Sequence, residues 1–202
     1  MNVLRGGDRI LEIGCGRGYF LKHTQGRAGE GLGLELNRDA VAGKVTTWPV
    51  EALTIEDMAE NRSATFDTVF SFQVLEHVVD PASFVSAAIN CLKPGGLLVL
   101  STPDPDNKAL QERRDAFDLP PHHMNHISEA CYHRIARLYD LRIVRFDRAP
   151  LIPWGSRPPG QPRTASFVAR GNIALRNLAA RIIGRRGPTL MVTLRKLQTS
   201  TR

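Results

Sequence analysis

"LEIGCGRG", residues 11–18, places three glycines in five positions directly after two apolar residues that flank an acid. Glycine loses more backbone freedom on folding than any other residue, so three of them here mark a chain that turns tightly or comes close to something. Working outward, "RILEIG" at 9–14 reads as a buried strand closed by Gly14, and "YFLKHT" from 19 starts a helix beyond the glycines. Strand, bare turn and helix in that order serve several nucleotide-binding folds. The missing terminal Lys-Ser/Thr separates this loop from a phosphate-binding P-loop.

Further along, "GLGLEL" at 31–36 is a second apolar strand with an acid near its end, and "VTTWPV" at 45–50 is a weaker third. Thr54 precedes a short helix through Glu60, with Asp57 placed to complete a capping box. "FDTVFSF" at 66–72 is strand four; "QVLEHV" at 73–78 reads as a helix start, and "PASFVSAAINCL" as a helix with Pro81 in its first turn. After the turn "KPGG" at 93–96, "LLVLST" at 97–102 is near-continuously apolar, as a parallel strand covered on both faces should be. A long polar connection, 103–126, leads to a helix beginning near Ser128 and a strand at "LRIVRFD". A proline-rich loop at 149–165, a basic helix over 166–183 and a closing strand at 189–197 complete the pattern. Strands alternating with helices predict an open, mostly parallel sheet with a ligand beyond the carboxyl ends of its strands.

Composition bounds the class. With 202 residues, 42% hydrophobic and 23% charged, the chain can build one full core and reads as a single globular domain. No run of 18 apolar residues occurs and "MNVLRGGD" has no signal-peptide core, so a cytoplasmic protein is expected. Cys15, Cys91 and Cys131 are odd in number and widely spaced, which argues against a disulfide framework or a structural zinc. The net charge of +7 is unevenly spread: residues 1–133 carry 12 Lys/Arg against 18 Asp/Glu, whereas 134–202 carry 15 against 2. The basic third could meet a polyanion or simply solubilise the surface.

Two acids discriminate among ligands. Glu12, inside the first strand, suits a cationic amino group better than a pyrophosphate, and Glu35, ending the second, can accept both hydroxyls of a ribose. With these residues in place, "LEIGCGRG" resembles the first motif of class I S-adenosylmethionine-dependent methyltransferases. "FDTVFSFQVLEHVVDP" and "LKPGGLLVLSTP" are similar to the fourth- and fifth-strand segments of that family, particularly its ubiquinone-pathway O-methyltransferase branch. The match covers 9–103, about half the chain.

The resemblance implies a single-domain, Rossmann-like α/β sandwich, with a mostly parallel seven-stranded sheet whose last strand is antiparallel and helices on both faces. It implies one methyltransferase domain over 1–202, with a cofactor half at 1–103 and acceptor or cover elements at 104–128 and 149–187. It places S-adenosylmethionine, which leaves as S-adenosylhomocysteine, along Gly14, Cys15, Gly16 and Gly18. Glu12 lies near the amino group, Glu35 at the ribose diol, Glu51 followed by Ala52 at the adenine, and Phe72 and Gln73 at the methionine end; Leu36 and His77 also belong to the cofactor site, His77 closing the first turn after strand four.

A hydroxyl acceptor must also lose its proton, and "DLPPHHMNH" offers His122 and His123 as catalytic bases, similar to Pro-Pro-His-His segments after strand five in some relatives. Glu76, His77, His122 and His123 could together supply metal ligands, as an acid–histidine segment and a later histidine do in some RNA-end methyltransferases. Gln73 stands where the first acid of a Glu-x-x-Glu-His form would be, so no metal is expected.

The expected acceptor is a small or lipid-like molecule methylated on oxygen. An RNA-directed enzyme, a catalytically inactive accessory subunit and a nucleotide-binding dehydrogenase stay open as alternatives, with nucleic acid not the expected partner. Relatives carry one or two helices before the first strand, where this sequence has eight residues. The cover is therefore expected from 103–126, from the 149–165 loop with Trp154 and Arg157, or from a homodimer or partner subunit. The basic helix could pack on the sheet or make a weak anionic-membrane contact.

Overall fold

A computed structural model describes residues 3–107, 111, 119–148 and 187–198. Seven strands form one sheet: β1 (Arg9–Ile13), β2 (Glu30–Leu34), β3 (Val50–Glu51), β4 (Phe66–Phe72), β5 (Leu92–Pro103), β6 (Leu141–Arg148) and β7 (Thr189–Lys196). Their order is β3-β2-β1-β4-β5-β7-β6, and only β7 runs antiparallel to its neighbours. The expected seven-stranded α/β sandwich is therefore the observed one. The helices named among the described residues are α1 (Tyr19–Thr24), α2 (Arg38–Ala42), α3 (Ile55–Asn61), α4 (Pro81–Cys91) and α5 (Glu129–Leu138).

Strand alternation decides which side chains meet which layer. Leu11, Ile13, Leu32, Leu34, Val69, Leu98 and Leu100 pack with α3, α4 and α5 in the larger core. Ile10, Phe70 and Val99 point the other way and pack with Leu21 of α1 and Ala28. Glycines within β2 allow that second layer to come close, since a Cβ at Gly31 would meet the Trp48 ring and one at Gly33 the Cys15 sulfur.

Sequence and structure agree where a side chain caps its own helix. Thr54 and Asp57 form the capping box at α3, Asp80 caps α4 with Pro81 in the first turn, and Ser128 caps α5. Three expectations are corrected. Residues 73–78 form a turn and not a helix start, because Gln73 takes a left-handed φ of 56° and only His77 N–H closes back, onto Val74 O at 2.8 Å. The third strand is confined to Val50–Glu51, since Val45, Thr46 and Trp48 are engaged with Arg17, Gly18 and Gly31 and Pro49 has no N–H. The fifth strand begins at Leu92, through the expected turn at 93–96. Helix α2 was not anticipated; Asn37 caps it by accepting from Asp39 N and Ala40 N. The basic helix, the proline-rich loop with Trp154 and Arg157, and most of 149–187 lie outside the described residues.

Candidate active site

The chain leaves β1 for β2 and β3 and then returns to β1's other side as β4, so the strand order reverses there and opens a crevice at the carboxyl ends of the strands. The glycine loop, the residues after Leu34 and the 73–78 turn all follow strands that end at this side of the sheet.

Gly14, Gly16 and Gly18 have φ of 70°, 54° and 75°, a conformation that side chains disfavour. Their reasons differ. A Cβ at Gly14 would collide with the Val74 side chain and one at Gly18 would lie 2.6 Å from Thr46 Cγ2, whereas at Gly16 it would meet nothing within 4 Å. Two of the three bare positions are thus required by the protein's own packing, and Gly16 is the one whose open side can admit a ligand. Gly16→Ala should cost only backbone strain, about 1–2 kcal/mol. Gly14→Ala should cost about 1–3 kcal/mol more through overpacking, and adding Val74→Ala should recover much of that excess in a urea melt.

Glu35 binds the loop from the side. Its Oε2 accepts from Gly16 N–H and its Oε1 from Asn37 N–H, both at 2.8 Å. Each oxygen retains a second acceptor position. Leu36 beside it is 66% exposed, unusual for a leucine and suited to lie against a flat apolar group.

Glu12 is 5% exposed, and its Oε2 has no hydrogen-bond partner among the described residues. Burial raises its pKa to about 8, opposed by a hydrogen bond from the Leu21 backbone at the first turns of α1. The buried Cys15 thiol is pushed up to about 12 by desolvation, with the Glu12 and Glu35 carboxylates adding to the shift, so it is an inert thiol and not a nucleophile.

Phe72 packs on Phe20 and Phe70, with ring centroids 4.9 and 5.7 Å away. Gln73 is tied to the end of β5, its N–H donating to Ser101 O at 2.9 Å and its amide to Ser101 Oγ at 3.4 Å. Glu51, the last residue of β3, pairs with Arg62 through its carboxylate at 3.5 Å and lines a hollow with Arg9, Glu30 and Trp48. Ala52, the residue after β3, is exposed.

The histidines are gathered by the docking of the 119–126 segment on the 73–78 turn, a contact that sequence spacing does not show. Met124 N and Asn125 N donate to Glu76 O at 2.7 and 3.1 Å, and Asn125 Nδ2 donates to Val78 O at 2.7 Å. His123 thereby meets His77 edge-on at 4.9 Å, and Glu76, His77 and His123 converge. His122 contributes its carbonyl, which accepts from His77 Nδ1 at 2.6 Å. Asn125, which holds this together, carried no signal: an asparagine in a polar loop looks like any other.

A glycine loop and an acid-tipped second strand at the reversal of a sheet ordered 3-2-1-4-5-7-6 define the class I methyltransferase architecture. The chain belongs to the methyltransferase domain family, whose model matches residues 2–145. The family's methyl donor is S-adenosylmethionine, which leaves as S-adenosylhomocysteine. The chain is 34% identical over 103 residues to the ubiquinone biosynthesis O-methyltransferase of Alkalilimnicola ehrlichii, which covers 48% of this chain and 42% of that protein. It thus spans less than half the length of the curated relatives it matches. In structure it is similar to the complexed candidate methyltransferase of Haloferax volcanii, solved with the Trm112 methyltransferase activator (TM-score 0.71, 18% identity, 96% of this chain and 85% of that one). It is also similar to an S-adenosylmethionine-dependent methyltransferase of Archaeoglobus fulgidus (TM-score 0.66, 21% identity, 96% and 88%). Among the described residues no helix is long and apolar enough to cross a membrane.

Proposed function

We propose that the chain methylates an oxygen of a small or lipid-like acceptor, using S-adenosylmethionine bound over the glycine loop. The observation that carries this reading is the histidine cluster beyond β4, combined with the likeness of the cofactor half to ubiquinone-pathway O-methyltransferases. When bound, the cofactor supplies a methyl carbon already electrophilic through its sulfonium, so no electron carrier is required. The described residues fit it. Glu35 has acceptor positions to spare for a ribose diol, Leu36 offers an apolar surface for the base, the buried Oε2 of Glu12 has no donor among the described residues where an ammonium group would supply one, and Gly16 leaves room.

The rest is alignment and proton removal. The His122–His123 segment would take the acceptor's hydroxyl proton as the methyl group passes from sulfur to that oxygen, the S–CH3 bond breaking and S-adenosylhomocysteine being left. A partner subunit or second copy covering the site agrees with the fold neighbour solved beside an activator. The test measures S-adenosylhomocysteine formed with phenolic and polyprenyl-phenol acceptors and with structured RNA. Turnover is expected on a phenol. His123→Ala should lower kcat by roughly 10²-fold or more with little change in cofactor affinity, the usual scale for losing proton-transfer chemistry. Turnover on RNA alone, or an unimpaired His123→Ala, would refute the reading.

A further inference from the structure

One turn touches both the glycine loop and the histidine segment. Residues 73–78 are anchored by Gln73 N–H, which donates to Ser101 O at the end of β5, and their Val74 side chain stands where a Cβ on Gly14 would be. The same turn receives the 119–126 segment, through carbonyls at Leu75, Glu76 and Val78 that accept from Met124 and Asn125. We propose that Asn125 is a positioning residue for methyl transfer: its side-chain amide holds the His122–His123 segment at a set distance from the glycine loop. This rests on the reading of that segment as the proton acceptor.

Asn125 makes three of the contacts. Its N–H donates to Glu76 O at 3.1 Å, and its Nδ2 donates to Val78 O at 2.7 Å and to Leu75 O at 3.4 Å. A side-chain amide carries two N–H donors, and two carbonyls of the turn take them; a carboxylate of the same shape has none and a serine hydroxyl has one. His123 lies two residues away, and two residues of chain reach at most about 7 Å, so fixing Asn125 confines His123. From the other side, His77 Nδ1 donates to His122 O at 2.6 Å and the His77 ring meets His123 edge-on at 4.9 Å. The glycine loop has its own bonds, Gly14 and Cys15 N–H to Leu34 O at 2.8 and 3.0 Å and Gly16 N–H to Glu35 Oε2 at 2.8 Å. Loosening Asn125 therefore moves the base and leaves the grip on the cofactor.

The test measures turnover of a phenolic acceptor at saturating S-adenosylmethionine, with calorimetry of cofactor binding on each variant. Asn125→Asp, nearly isosteric but without the two donors, and Asn125→Ala should each lower kcat by roughly 10²-fold, the scale of a misplacement of about 1 Å. Cofactor affinity should stay within about threefold, which separates positioning from a general loosening of the fold. A role in filling space alone would spare Asn125→Asp. Combined with His123→Ala, Asn125→Asp should add no further loss, because a residue that acts through another costs nothing once that other is gone. Asn90→Ala removes a different amide-to-carbonyl contact, to Ala59 O at 3.4 Å between α4 and α3, and should turn over as wild type. Wild-type kcat in Asn125→Asp, losses that multiply in the double variant, or a parallel fall in cofactor affinity would overturn the positioning role. An unimpaired His123→Ala would instead remove the base, and the positioning role with it, so the His123→Ala rate tells the two failures apart.

Discussion

Replacing Glu35 with alanine is expected to weaken S-adenosylmethionine binding by roughly a hundredfold, because on the proposed placement it removes two charge-assisted hydrogen bonds to the ribose, together about 3 kcal/mol. The carboxylate does two jobs at once. It accepts from Gly16 and Asn37 N–H, fixing the loop and the start of α2, and it keeps one acceptor position per oxygen facing outward. Glu35→Gln should therefore fail almost as badly as alanine. One carboxylate oxygen becomes an NH2 that faces a backbone N–H, so the isostere removes an acceptor exactly where two donors are waiting for one each. Calorimetry with S-adenosylmethionine and S-adenosylhomocysteine checks both variants. An affinity within threefold of wild type would remove Glu35 from the cofactor site.

The second large effect is with pH. Glu12 titrates near 8 in the folded chain because burial disfavours its charged form, against 4.5 as the ordinary value. Between those values the native state holds a proton that the unfolded chain has released. Stability therefore falls as pH rises from about 4.5 to about 8, by at most about 1.4 kcal/mol per unit, and levels off above. Glu12→Gln should flatten that slope and be the more stable form near pH 8. Cofactor binding should show the opposite trend. An ammonium beside the buried Oε2 favours the carboxylate, so binding near pH 6.5 should release close to one proton, and affinity should climb by up to about tenfold per unit toward pH 8. It should then decline as the cofactor's own amino group, near 7.7–8.0, loses its charge. Calorimetry in buffers of differing ionisation enthalpy measures the released proton directly. The rising limb should vanish in Glu12→Gln, and its persistence there would place the titration elsewhere.

The sequence by itself determined the features that depend on near neighbours. The strand periods, the Thr54–Asp57 capping box, Pro81 in the first turn of α4 and the strand–glycine–helix opening are all written within a few residues, because a cap or a turn is satisfied by its own segment. From these the sheet and the cofactor half were legible, as was the acid at position 35. Tertiary structure alone decided what depended on contacts between distant segments. It showed that Gly14 and Gly18 are bare because Val74 and Thr46 stand against them, that Glu51 turns to Arg62, and that a left-handed Gln73 ends β4 in a turn. It also decided the convergence of Glu76, His77 and His123. That cluster exists because Asn125 and Met124 satisfy the backbone carbonyls of a turn some fifty residues earlier, and such long-range hydrogen bonds leave no periodicity or spacing to read.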